Sequence, residues 1–144
     1  MTMHPHRRFR TAPRTLVILA VGLAAATLSA TAHAGPEGSR VVAGQASIDR
    51  QGTHTRIEAS NNAIIDHRSF DLSPSESVRF VQPDAASRVL NRITGGRPTM
   101  IEGSLSANGR VYFVNPQGVY FAGTSVINAT GLYAAAGQIS NADF

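Results

Sequence analysis

Pro116 sits at the centre of "VYFVNPQGVYF", residues 111–121, between two copies of Val-Tyr-Phe. The repeat looks like a hairpin, but the proline opposes a tight one. Its ring holds φ at about −65°. Two-residue hairpins prefer type I′ or II′ turns, which need positive φ at that position. Asn first, Pro second and Gly fourth are instead the preferences of a type I turn. Two readings remain for Asn115–Gly118. One is a four-residue hairpin loop built on a type I turn. The other is a bend between strands that belong to different sheets of a coil. In either, Val111 and Phe113 share one face, Val119 and Phe121 another, and Tyr112 and Tyr120 point away from the phenylalanines.

The chain from Arg40 onward carries short runs rich in Val, Ile, Thr, Tyr and Phe, broken every few residues by Gly, Asn or Pro. That pattern is all-β. Apolar anchors fall at Ile64, Ile65, Phe70 and Leu72, and "ESVRFVQP" alternates with Val78 and Phe80 on one face until Pro83. Residues 83–93, "PDAASRVLNRI", fit a helix through Ala86, Val89, Leu90 and Ile93, or a strand through Val89, Asn91 and Ile93. Periodicity cannot arbitrate over so short a run. Aromatic residues make up 6% of the chain and tryptophan is absent, whereas Ala, Gly and Ser recur throughout. A sandwich core would call for more rings. A thin stack of coils can be filled by small and branched side chains, and the composition favours such a solenoid.

The amino terminus reads differently. Arg7, Arg8, Arg10 and Arg14 precede "LVILAVGLAAATLSA" (16–30) and "AHA" (32–34). Basic, apolar and Ala-x-Ala segments in that order make a secretory signal peptide over residues 1–34, and the apolar run is shorter than the ~20 residues of a spanning helix. No membrane span is expected after cleavage behind Ala34. The signal also explains the charge. All 13 basic residues are arginines, and without those four, 9 arginines face 9 acidic residues. The domain then has no basic excess for nucleic acid to meet, and nucleic-acid binding is not expected. There is no cysteine, so burial and backbone hydrogen bonds must hold the exported domain together. Residues 35–39, "GPEGS", read as a short flexible leader.

From about Gly38 to Ser140 the sequence resembles the amino-terminal secretion domain of two-partner secretion exoproteins, also called the haemagglutination activity domain. These are the filamentous haemagglutinin, haemolysin and contact-dependent inhibition group. The resemblance rests on "NNAIIDHRSFDLSPSESVRFVQPDAASRVLNRITGG" (61–96), "IEGSLSANGRVYFVNPQGVYF" (101–121) and Asn-Pro-x-Gly at Asn115–Gly118, taken in that order. It implies a right-handed parallel β-helix with N-terminal capping strands, and on that ground residues 83–93 are expected to be strand. It implies as partner an outer-membrane β-barrel transporter that recognises the domain through its periplasmic regions. It also implies export through the periplasm to the surface or medium, and a role in starting the folding of an adhesin or toxin. Asn115, Pro116 and Gly118 match the motif on which secretion depends in the family, with Gln117 at its variable place. Two departures stand out. His67 occupies a position where tryptophan is common, and the chain stops at Phe144, before the family's second Asn-Pro motif. Residues 40–144 are therefore expected to form a partial domain.

Other constellations are weaker. Asp66, His67 and Asp71, with Glu58 nearby, supply the residue types of a carboxylate-based glycan-cleaving β-helix, but not its pairing pattern. His54 and His67 lack ligand spacing, so neither a metal nor a cofactor is expected. "TGGRPT" (94–99) reads as a Gly-Gly turn, or as an anion-binding nest beside Arg97. Asn128-Ala-Thr130 fits a glycosylation acceptor. The leading expectation is a non-enzymatic export and folding module. The alternatives are a small secreted polysaccharide-acting enzyme and a gene remnant.

Overall fold

The computed structural model describes residues 35–144. The expected signal peptide, 1–34, lies outside the described residues. Twelve strands run through the described part, and they stack as the expected all-β, right-handed parallel β-helix of about four coils. Among the described residues no helix is long and apolar enough to cross a membrane.

Each of the first three coils crosses three sheets. Coil 1 contains β4 (His54–Ala59), β5 (Ala63–His67) and β6 (Ser69–Asp71). Coil 2 contains β7 (Ser77–Val81), β8 (Arg88–Ile93) and β9 (Thr99–Ile101). In coil 3 one strand, β10 (Ser104–Val114), serves two sheets before β11 (Val119–Phe121). Its first part pairs with β7 and its second with β8, with an irregularity in register between Ala107 and Arg110 on its other side. Gly109 sits in that bulge, where an added Cβ would lie 2.6 Å from the Gln82 side chain. Coil 4 begins with β12 (Val126–Ala135), which follows β10 along its length.

Alternation explains why these segments are strands. β4 exposes His54, Arg56 and Glu58 and buries Thr55, Ile57 and Ala59. In-register stacking turns each inward position into a column. Thr55, Val78, Leu105 and Ile127 form one such column; Ala63, Val89, Val111 and Leu132 form another. Residues 83–93 divide into a turn and strand β8, which removes the helical alternative. The Asp84 carboxylate accepts from the Ala86 and Ser87 N–H groups at 2.9 and 2.7 Å, which closes an Asx-type turn. Val89, Asn91 and Ile93 then stack on Ala63, Ile65 and His67.

The first coil is closed from below. β3 (Ala46–Gln51), β2 (Arg40–Ala43) and β1 (Gly35–Glu37) pair antiparallel with β4, β5 and β6 respectively. Every strand edge of coil 1 is thereby covered. Gly35–Glu37, read from composition as part of a flexible leader, is instead strand. The Arg50 guanidinium donates to the Pro36 carbonyl at 2.8 Å, and Arg68 pairs with Glu37 at 3.0 Å. Local composition did not register these distant partners.

Inside, Phe70, Phe80 and Phe113 meet as a triad, all fully buried, with ring centroids 4.8 to 6.4 Å apart. Phe121 lies on the corresponding side of β11, stacked on Ile101, but is 40% exposed. The two halves of the Val-Tyr-Phe repeat are thus unequal in burial. Phe113→Ala should destabilise the fold by about 3–5 kcal/mol, while Phe121→Ala should cost less than about 1 kcal/mol. Urea unfolding of the two variants beside the parent chain checks the contrast.

Candidate functional site

Asn115–Gly118 makes the corner between the second and third sheets in coil 3. β11 pairs with β9 and not with β10, so the motif is a bend between sheets rather than a hairpin loop. The Gly118 N–H donates to the Asn115 carbonyl at 2.9 Å, closing the turn, and the Gln117 N–H donates to Asn115 Oδ1 at 2.9 Å. Gly118 has φ of 99°, which a side chain would strain, and an added Cβ would come within 3.1 Å of the Tyr120 ring.

The asparagine also reaches beyond its own coil. Its Nδ2 donates to the Arg97 carbonyl at 2.9 Å and to Thr99 Oγ1 at 3.0 Å, both in coil 2. Its backbone N–H donates to the Ala135 carbonyl at 3.1 Å, in coil 4. Asn115 is fully buried, whereas Pro116 and Gln117 are exposed. The motif therefore has an inward half that bonds three successive coils and an outward half that faces solvent. Pro116 and Gln117 border a cleft of about 500 Å³ whose other walls include Asp66, Arg92, Gly96 and Gln138.

The other sequence-predicted groups are kept apart. Asp66 faces out, between Arg40 at 3.2 Å and Arg92 at 2.7 Å. His67, the next residue, points into the core. Asp71 accepts from the Met100 N–H at 2.8 Å, and Glu58 pairs with Arg56 on the outside of the first sheet. These acids and His67 do not converge on a common point. The nest read at residues 94–99 is also spoken for in part. The Thr94 and Gly95 N–H groups donate to the carbonyls of His67 and Arg68, so the Gly-Gly stretch is a coil corner.

His67 has a role that the sequence did not reveal. Its Nδ1 lies 2.8 Å from Ser39 Oγ and its Nε2 lies 2.9 Å from Asn91 Oδ1. Asn91 Nδ2 in turn donates to the Tyr112 carbonyl at 3.3 Å. A line of polar contacts, buried at its His67–Asn91 step, thus runs from the cap through coils 1 and 2 to coil 3. Asn91 Oδ1 is an acceptor, which assigns the imidazole proton to Nε2 and leaves Nδ1 to accept from Ser39. The ring meets Phe70 edge-on at 5.2 Å, so the position still holds a packed ring. Burial pushes His67 down to about 4, against smaller opposing effects of the Asn91 hydrogen bond and the Asp66 charge.

A family model described as the TPS secretion domain matches residues 32–144. The chain belongs to that family. Two curated relatives agree with it, both heme/hemopexin-binding proteins of Haemophilus influenzae. One, from strain Rd, is 43% identical over 100 residues, and the other is 37% identical over 101. Each alignment takes in 69% of this chain but only 11% of the relative. Among solved structures, the HMW1 secretion domain from Haemophilus influenzae superposes with a TM-score of 0.73 at 35% identity, covering 75% of this chain and 29% of that one. Proteins with a TPS secretion domain are secreted by the two-partner route.

Within this TPS secretion domain the two halves of the corner should respond differently to substitution. Asn115→Ala orphans buried partners in coil 2 and should cost about 1–3 kcal/mol, whereas Gln117→Ala should stay within about 0.5 kcal/mol of the parent. Denaturant midpoints measure both. The histidine predicts a pH dependence. Its folded-state value lies below its unfolded one, so acid protonates the unfolded chain first. Its effect is absent above about pH 6.5, and stability is lost as pH falls from there towards 4, by about 3 kcal/mol over the window. Unfolding curves at pH 7 and pH 4.5 should show a smaller acid loss for His67→Phe than for the parent.

Proposed function

We propose that residues 35–144 are the leading secretion domain of an adhesin- or toxin-like exoprotein, recognised in the periplasm by an outer-membrane β-barrel transporter. The chain is delivered there by residues 1–34, with cleavage after Ala34. The domain emerges at the surface or in the medium, and its coils template the coils that follow. The role is non-enzymatic. It concerns export rather than the heme/hemopexin binding named for the relatives, because the shared stretch is 11% of their length.

What supports this reading is the contrast between the two ends of the stack. At the cap, the outer strand β3 carries Asp49 and Arg50, charges that discourage pairing with another chain. At the other end, β12 has no charged residue and no proline over Val126–Ala135. Val126 is 60% exposed, and Ile127, Tyr133 and Phe121 are also exposed. Such an edge suits strand addition, by a transporter segment first and by a following coil later. Asn115–Gly118 enters by fixing the corner from which β11 and β12 are laid down. Asn115 acts from inside, and Pro116 and Gln117 form the part a partner can touch.

Co-expression with the partner barrel tests the proposal. Asn115→Ile and Pro116→Leu should accumulate in the periplasm while the parent chain reaches the medium. Parental secretion of the first two, dependent on the barrel, would overturn the assignment of the motif.

A further inference from the structure

Residues 136–144, beyond β12, add no strand to the third sheet. Residues 137–144 turn back across the outer face of the second sheet towards earlier coils. The Gly137 N–H donates to the Asn115 carbonyl at 3.4 Å. Arg92 Nη1 then donates to the Ile139 carbonyl at 3.2 Å and to Asn141 Oδ1 at 2.7 Å. Ser140 and Asp143 close a turn through Oγ to Oδ2 at 2.6 Å, and Phe144 lands on Tyr112, ring centroids 5.2 Å apart and nearly perpendicular. The Arg88 guanidinium carbon stands 4.8 Å over the Phe144 ring.

Arg88, Leu90 and Arg92 alternate along the outward side of β8, in coil 2. The segment engages the two arginines that flank this leucine. Leu90 is fully buried although it lies outside the inward apolar cluster, and Ile64, its register partner in coil 1, is 3% exposed. Arg92 also donates through Nε to Asp66 of coil 1. One planar guanidinium therefore holds coil 1 on one edge and the segment after coil 4 on another.

A plain solenoid has no such contact. Its coils touch only their neighbours, its stability is a sum of neighbour terms, and its last coil frays without consulting the rest. We infer that residues 137–144 are a clasp that locks coil 4 to coil 2 and makes the four coils open and close as one unit. The exposed edge of β12 would otherwise make coil 4 the first to melt. With the clasp shut, β12 cannot leave β10 unless Asn141 leaves Arg92 and Phe144 leaves Tyr112. In a chain that emerges amino terminus first, the clasp closes only after β12 has stacked.

Hydrogen exchange on the whole chain tests this, with the parent and an Asn141→Ala/Phe144→Ala double variant. In the parent, amides of β12 bonded to β10 should exchange in step with those of β8. In the double variant they should exchange at least roughly tenfold faster, while β4, β5, β7 and β8 keep parental rates. Asn141→Ala alone should give a smaller change in the same direction, and Phe144→Tyr should restore the parental pattern at the ring contact. Three results would overturn the clasp. These are unchanged β12 exchange in the double variant, an equal acceleration in every coil, and a parent whose β12 already opens separately from β8.

Discussion

A side-chain amide with nowhere to go but across a coil boundary organises this molecule. Asn115 is sealed from water, and each of its polar atoms must find a protein partner or remain costly. Its Nδ2 finds the coil before and its backbone N–H the coil after, while Oδ1 is spent on its own turn. Fixing that corner fixes where β11 starts, and with it the register of the third sheet. The register then decides whether Leu72, Ile101 and Phe121 fall on one column. In a parallel sheet a slip of one residue would turn every such column inside out.

Asparagine recurs at the corners for related reasons. Asn62 takes the left-handed conformation, φ 59°, at the first corner of coil 1, and Arg88 of the next coil donates to its Oδ1 at 2.6 Å. Asn108 exchanges two hydrogen bonds with the Gln82 backbone, both 2.7 Å, across the same corner one coil later. A short amide can mimic a peptide group, which lets it bond the backbone of the coil beneath and tolerate a tight bend. Polar corners of this kind direct the coils in a core otherwise filled by non-directional burial.

Much of this was legible in the sequence wherever the cause is local. The proline in Asn115–Gly118 ruled out a tight hairpin, and the alternation of Val78 and Phe80 gave the buried face of β7. The scarcity of rings pointed to a thin stack. What escaped was whatever depends on a distant partner. Gly35–Glu37 becomes a strand only because β6 is there to receive it. Phe121 repeats Phe113 letter for letter, yet the column above Phe113 is filled and Phe121 is left half open. At the site, turn chemistry located the corner and the family resemblance marked it as special. The division of labour between a buried Asn115 and an exposed Gln117 needed the stacked coils. His67 reads as a stray catalytic type in the sequence, and only its neighbours Ser39 and Asn91 make it a bridge between cap and coils.

The corner between the first and second sheets is built in three ways. Coil 1 uses Ser60–Asn62, coil 2 the longer Gln82–Ser87, and coil 3 only a bulge inside β10. Stacking height is set by strand spacing and cannot change, but the length of chain used to go round is free to vary. The perimeter of this stack is therefore elastic in evolution while its pitch is not. New surface loops can be spliced into the exposed Pro83–Ala86 stretch, between the buried Gln82 and Ser87, which would let the outside of the domain diversify while the column-forming residues stay fixed.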